Sequence, residues 1–257
     1  GVPTGFYDLD DLLSGMQKSD LIICAGRPSM GKTALALSMA RNAALEFGHK
    51  VGVFSLEMSS ESLTSRMLAS MAGISQSNVK TGNLTDRQWE KLIQQAKKLE
   101  EMNIFIDDTP NISPMEIRAK SRRLAKQYRK QGGVKLVVVD YIQLMQMPGR
   151  TENRVNELSE ISRALKYLAK EIKAPVIVLS QLNRAVEQRP NKRPQMSDLR
   201  DSGAIEQDAD LIFMLYRDFV YNKNEEWKNV AEVRLVKHRN GPTKDLLLSF
   251  RDELTRF

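Results

Sequence analysis

Short apolar runs alternate along this chain with longer stretches in which apolar residues return every three or four positions. The runs fall at 21–25, 51–55, 103–106, 136–139, 175–179 and 211–215. A short run that is apolar throughout is the pattern of a parallel strand buried on both faces. Between the runs, Ile117, Leu124 and Tyr128 share one helix face, while Arg118, Arg122, Lys126 and Arg129 lie elsewhere on its surface. Val155, Leu158, Ile161, Leu165, Leu168 and Ile172 mark the inward face of another helix. A third, over 86–101, is expected to pack through Trp89. This β-α-β-α order predicts an α/β fold: a doubly wound, mostly parallel sheet with helices on both faces.

The pattern changes near the C terminus. Residues 230–236 alternate apolar and polar, Asn240-Gly241 follows, and 246–250 is again strand-like. Asn-Gly between two such runs signals a hairpin, because both residues tolerate positive φ. Pro242 beside them permits a longer loop. An antiparallel extension at the sheet edge is expected.

Composition narrows the class. The 257 residues fit one α/β domain or two small ones, and no linker or repeat marks a boundary. A hydrophobic share of 41% supports a sizeable core and excludes global disorder. The one cysteine, Cys24, excludes an internal disulfide framework and a Cys-based zinc site. It sits in an apolar run and is expected to be a buried thiol, which suits a reducing, cytoplasmic compartment. No stretch is apolar enough to span a membrane, and no signal-peptide pattern opens the chain. The first residue is Gly1, so the chain is expected to be a fragment of a longer protein or a processed form. His49 and His238 are far apart and suggest no metal cluster, and the twelve methionines read as core and helix-face filler. A net charge of +7 points weakly to a polyanionic partner.

The sharpest chemistry lies at Gly26-Arg27-Pro28-Ser29-Met30-Gly31-Lys32-Thr33, a full G-x-x-x-x-G-K-[ST] match between a predicted strand and a predicted helix. Glycines let the backbone wrap phosphate oxygens so that successive N–H groups point inward, and the helix N-terminus adds its dipole. Lys32 brings charge to the β- and γ-phosphates, and the Thr33 hydroxyl can ligate Mg²⁺. The expected nucleotide-binding stretch, with ATP as ligand, runs from Gly26 to Ala34.

Three more polar residues fall just past or at the ends of predicted strands. Asp140 closes the run 136–139 and is expected to support Mg²⁺ through water. Glu57 follows 51–55, where it either polarises an attacking water or caps the helix beginning near Ser59. Gln181 follows 175–180, where a neutral amide can bond a γ-phosphate or simply be a loop residue. Open α/β sheets bind ligands at the carboxyl ends of their strands, so these residues can converge on one rim. Tyr216-Arg217 ends another run near that rim; strand-end packing is the expected role and a contact to the base the alternative. From spacing alone, Lys237 and Arg239 read as edge-strand charges that discourage aggregation. The segment 181–200 is basic, holds two prolines and lacks apolar periodicity, and reads as a mobile loop.

At this point the chain resembles a known family. Ser55-Leu56-Glu57-Met58, Val139-Asp140-Tyr141-Ile142-Gln143-Leu144, Ser180-Gln181-Leu182-Asn183-Arg184, the run from Asp198 to Asp210 and Lys237-His238-Arg239-Asn240-Gly241 look like the motif set of DnaB-type replicative DNA helicases. The likeness covers nearly the whole chain, in the C-terminal RecA-like domain. It implies that residues 1–257 form one RecA-like P-loop domain of a longer protein that also has an N-terminal domain. It implies an ATP hydrolase and DNA helicase that works as a homo-hexamer on single-stranded DNA and meets a primase and a helicase loader. By the same resemblance Glu57 is the catalytic base, Gln181 the γ-phosphate sensor, and Arg239, with Lys237 beside it, an arginine finger acting on the neighbouring subunit. Arg200, Asp201 and Gly203 match the family's DNA-contacting positions. A recombinase or clock-type ATPase on the same fold, or a nucleotide-gated assembly scaffold, is the alternative.

Overall fold

The computed structural model describes residues 1–149 and 153–257, with the backbone alone at 200–202. After a short helix α1 (Tyr7–Leu13), the chain runs β1 (Leu21–Gly26), α2 (Lys32–Leu45), β2 (Lys50–Ser55), α3 (Ser60–Ala72), α4 (Gln76–Thr81), α5 (Asp86–Glu101) and β3 (Ile104–Asp107). It continues through α6 (Pro114–Gln127), β4 (Val134–Asp140), α7 (Arg154–Ile172), β5 (Val176–Gln181), α8 (Gly203–Asp208), β6 (Leu211–Tyr216), α9 (Asp218–Asn222), β7 (Val230–His238) and β8 (Lys244–Ser249). The strands form one sheet in the order β3-β2-β4-β5-β1-β6-β7-β8. All pairings from β3 to β6 are parallel; β7 and β8 add antiparallel on the β6 side. Each predicted apolar run is a strand, displaced by no more than a residue or two at its ends.

The two-residue period of a strand decides which side chain packs where. Ile22 and Cys24 face one layer with Leu35 and Met39 of α2, joined by Val51, Val53, Leu136, Val138, Ile177 and Leu179. Leu21, Ile23 and Ala25 face the other with Ile161, Leu165 and Leu168 of α7, joined by Val137, Val139, Val176 and Val178. The buried apolar side chains of these strands therefore divide between the two cores, which is why the runs carry no polar alternation. Cys24 is among them, and burial pushes its thiol up to about 12, so it stays protonated and unreactive.

Helix starts follow local chemistry. Ser59, Thr85, Ser113 and Asn153 each accept a backbone N–H at the start of α3, α5, α6 and α7, and Thr85 with Gln88 closes a capping box. The equally long α2 has no side-chain cap; Gly31 stands at its N-cap with φ 94°. Its first-turn N–H groups are left for another acceptor.

Three local expectations change. Val155 is 45% exposed, because α7 turns its first residues to solvent and buries from Leu158 onward. Trp89 is 48% exposed; α5 packs through Leu92 instead. Neither Asn240 nor Gly241 takes a positive φ, because residues 239–243 form a longer connection rather than a two-residue turn. Gly241 is needed there for space: a Cβ would fall 2.2 Å from the His238 ring.

At the rim where the parallel strands begin, Asp210 is a buried junction. Its Oδ2 accepts the Leu21 N–H at 2.8 Å and Lys166 Nζ at 2.5 Å, and its Oδ1 lies 3.1 Å from Arg239 Nη1. Partial burial and the like charge of Asp210 push the nearby Asp20 carboxyl up to about 6. The folded chain then holds more protons than the unfolded one between about pH 4 and 6, so this group lowers stability as pH rises through that window. Asp20→Asn is expected to raise stability at pH 8 by about 1 kcal/mol, after discounting for its partial exposure. The gain should shrink as pH falls towards 4. Urea unfolding at pH 8 and at pH 5 measures this, and an equal gain at both would contradict it.

Candidate functional site

The sheet brings the polar residues at its strand tips into one row. Gly26 pairs with Gln181 across β1 and β5, and Ser55 pairs with Asp140 across β2 and β4. Between these tips and α9 opens a cleft of about 650 Å³. Pro28, Ser29, Gly31, Lys32, Thr33 and Ala34 line it from the glycine-rich loop, with Glu57 and Gln181 opposite. Gly31 holds φ 94°, a backbone that glycine alone adopts freely, and a Cβ there would press against the Phe257 ring at 3.1 Å. Not every loop residue faces the cleft. Met30 is 2% exposed, and its sulfur accepts the Arg217 N–H at 3.2 Å. Gly26 ends β1, and the Arg27 side chain turns towards Leu182 and Glu187.

Each polar group is held by identifiable contacts. Thr33 Oγ1 donates to Asp140 Oδ2 at 3.0 Å. Desolvation raises the Asp140 carboxyl to about 6, against the Thr33 hydrogen bond; Glu57 adds to the rise, and Lys32 and Arg66 oppose it. Burial holds Lys32 below the ordinary lysine range, partly offset by Asp140 and Glu57. Glu57 is exposed within a pinned turn: Leu56 N–H donates to Asp140 O at 2.7 Å, and Ser55 Oγ donates to Met58 O at 2.7 Å. It is not the cap of α3, since the Ser59 hydroxyl fills that role. Gln181 ends β5, and its backbone is bracketed by Gln143, whose Oε1 accepts the Gln181 N–H at 3.1 Å.

Two more cations line the cleft: Arg66, which sequence reasoning missed as a site residue, and Arg217, for which it holds a base contact only as the alternative to packing. Arg66 of α3 faces it, and its Nε is buried without a hydrogen-bond partner among the described residues. Its signal was phase: it falls on the inward stripe of Leu63, Met67 and Ser70, where a cation is out of place. Arg217 is 3% exposed, donates to Ser29 O at 3.1 Å and lies with Cζ 4.5 Å over the Phe250 ring. With Phe219 and Phe250 it forms a flat apolar and cationic wall beyond the phosphate loop. Tyr216 is the strand-end packing residue of that pair, buried with its hydroxyl on Asp218 at 3.1 Å.

Lys237 and Arg239 are not at this cleft. β7 runs antiparallel to β6, so His238 pairs with Leu211 at the opposite rim. There Lys237 Nζ donates to Glu206 O at 2.6 Å, and Arg239 Nη2 donates to Gln207 O at 2.8 Å, beside its ion pair with Asp210. The segment 181–200 is not the loose loop that its composition suggested. Residues Arg184–Gln188 and Met196–Ser202 form 3₁₀ turns. Arg189 clasps Asp198 at 2.6 and 2.9 Å, and Arg193 pairs with Glu232 at 3.1 Å and stacks over Tyr216. The Arg200 and Asp201 side chains lie outside the described residues. Gly203 is exposed at the start of α8 with φ −54°, and a Cβ there would meet nothing, so the fold itself does not require glycine.

Known proteins match this arrangement throughout. The family model of the DnaB-like helicase C-terminal domain matches residues 1–257. The chain is 52% identical over 258 residues to replicative DNA helicase DnaB of Geobacillus stearothermophilus and 50% identical over 258 residues to replicative DNA helicase DnaC of Bacillus subtilis. These matches cover 100% of this chain but 56% of each relative, so the chain spans little more than half their length. Among solved structures, one described as an ATPase domain matches with TM-score 0.94 and 40% identity, covering 100% of this chain and 90% of that one. A DnaB-like replicative helicase, described with its interactions with primase, matches with TM-score 0.94 and 40% identity, over 100% of this chain and 61% of that one. A mixed eight-stranded sheet with its polar tips on one rim, a full phosphate-loop motif and matches at this level over every residue place the chain in the DnaB-like helicase C-terminal domain family.

Proposed function

We propose that residues 1–257 form the motor domain of a replicative helicase. It hydrolyses ATP at the interfaces of a homo-hexameric ring and couples that reaction to movement along single-stranded DNA. The observation that carries this reading is a separation. The phosphate loop, Glu57, Asp140 and Gln181 share one rim of the sheet, while Lys237 and Arg239 sit at the other. The six residues of β6 span about 20 Å between the rims, so a chain's own Arg239 does not reach its own cleft. In a head-to-tail ring the second rim of one subunit meets the first rim of the next.

Within the cleft the roles follow from charge and position. The uncapped N–H groups of α2 and the Lys32 ammonium bind the phosphates. Glu57 orients and polarises the attacking water. The Gln181 amide contacts the γ-phosphate and registers its loss. The stacked Arg217–Phe250 pair backs the wall of the cleft beside which the base lies. Arg239 and Lys237 of the neighbour stabilise the charge that spreads over the transferring phosphoryl group. The Thr33 hydroxyl and Asp140 suit Mg²⁺: two hard oxygen donors 3.0 Å apart, with a desolvated carboxylate that a cation relieves. Bound there, Mg²⁺ supplies charge neutralisation at the β- and γ-phosphate oxygens.

Arg200, Asp201 and Gly203 make the DNA contact. The open space at Gly203 lets a phosphate approach the backbone. The positive charge of Arg200 suits a phosphate partner. Such contacts go to the DNA backbone and are sequence-independent. A primase and a helicase loader are the further partners. Among the described residues no helix is long and apolar enough to cross a membrane, and the replication fork in the cytoplasm is the setting.

ATP hydrolysis is expected to rise with single-stranded DNA, and the stimulation to fall with salt as phosphate contacts are screened. Activity per chain should rise with protein concentration. Steady-state assays over those variables check this, and a rate indifferent to all of them would contradict it. Arg239→Ala is expected to lose about 10³-fold or more of the stimulated rate while keeping nucleotide affinity. A parent-like rate in that variant would overturn the finger assignment. Glu57→Gln should lose about 10²–10⁴-fold at similar affinity, read by the same assay with a fluorescent nucleotide.

A further inference from the structure

Arg27 occupies an unspecified position of the phosphate loop, yet its side chain leaves the cleft. It is 13% exposed, and a guanidinium so enclosed needs partners. It finds them 155 positions away: Nη1 donates to the Leu182 carbonyl at 2.9 Å, one residue past Gln181. Its Nε stands 3.3 Å from the Glu187 carboxylate without an aligned hydrogen bond. Burial and the nearby Glu187 charge push the Tyr221 hydroxyl of α9 up, and Phe219 and Val220 of that helix line the cleft. Glu187 therefore sits between the phosphate loop and the far wall of the site.

From Glu187 the contacts run on to the Arg200 stretch. Arg189 clasps Asp198 through two hydrogen bonds at 2.6 and 2.9 Å. The Asp198 carbonyl accepts the Asn183 N–H at 3.1 Å, and its carboxylate accepts the Gln195 N–H at 2.7 Å. These contacts close residues 183–198 on themselves, and Arg200 follows Asp198 by two positions. The Arg27–Glu187 contact is the loose joint in this series. An ion pair at 3.3 Å with no aligned hydrogen bond is one that a small movement of the phosphate loop can strengthen or break. Coupling between sites needs such an element with two arrangements that both ligands bias.

We infer that Arg27 and Glu187 are positioning residues that tether the segment after β5 to the phosphate loop, so that nucleotide state sets the placement of the stretch from Arg200 to Gly203. The inference rests on the DNA-contact reading above. By linkage, DNA binding then alters nucleotide affinity by the same factor by which nucleotide alters DNA affinity.

Glu187→Ala and Glu187→Asp in the full-length protein test this. The readout is affinity for a labelled oligo-dT strand with ADP and with a non-hydrolysable ATP analogue, beside hydrolysis with and without oligo-dT. In the parent the two affinities should differ by about fivefold or more. In Glu187→Ala the ratio should fall close to one and DNA stimulation should fall with it, while DNA-free hydrolysis stays within about twofold of the parent. Glu187→Asp keeps a carboxylate and should recover part of the ratio. A merely structural role would weaken both affinities together and leave the ratio intact. That result, or a Glu187→Ala variant with the parent's ratio and stimulation, overturns the tether alone. A parent that binds oligo-dT equally in both nucleotide states, or not at all, overturns the DNA-contact reading and the tether with it.

Discussion

A parallel strand buried on both faces has no room for polar chemistry except at its ends. That constraint governs this molecule. β1, β2, β4 and β5 carry apolar side chains into two separate cores, one on each face of the sheet. Their carboxyl tips then hold the groups that the cores exclude: the glycine-rich loop, Glu57, Asp140 and Gln181. Because the strands are parallel and in register, those tips align without any further device. The antiparallel β7 reverses the direction and delivers Lys237 and Arg239 to the other rim. One sheet thus presents two complementary halves of a site on opposite edges, an arrangement suited to head-to-tail assembly.

The charge distribution makes the same division. The chain carries a net charge of +7, but many of its cations are already engaged. Arg189, Arg193 and Arg234 pair with Asp198, Glu232 and Asp245 and shape the segment after β5 and the sheet edge. Lys32 and Arg66 face the cleft, and Arg217 lines it while paired with Asp252 at 3.3 Å. Arg239 is held by Asp210, by the Gln207 carbonyl within α8 and by the Ala209 carbonyl just after it, and α8 is the helix that opens at Gly203. The residue proposed to act on the neighbour's nucleotide therefore touches the element proposed to act on DNA.

The sheet was legible because its signal is local. Six apolar runs needed no tertiary knowledge to be read as buried strands, and the phosphate loop is contiguous in sequence. Convergence of Glu57, Asp140 and Gln181 followed from the rule that ligands gather at strand carboxyl ends. What escaped is what depends on packing. Arg66 reads as one more helix-surface cation until α3 is turned against the cleft. The sequence places Arg217 near the rim, but its stacking on Phe250 needs the fold. The segment after β5 looked loose because its composition is polar, and the pairing of Arg189 with Asp198 is invisible without knowing which charges meet. Asn240-Gly241 signalled the hairpin of β7 and β8 that the structure contains, with the longer connection that Pro242 permitted, but not the approach of the His238 ring to Gly241.

The central claim is that a working site is shared between neighbouring chains. Mixing two full-length variants tests it directly, Glu57→Gln and Arg239→Ala, each inactive as a pure assembly. Steady-state ATP hydrolysis is followed with single-stranded DNA present as the two are combined and allowed to exchange subunits. In a shared site, a neighbour with intact Arg239 completes a cleft with intact Glu57, so the mixture should regain activity that neither variant has alone. A mixture no more active than its separate components would contradict the account.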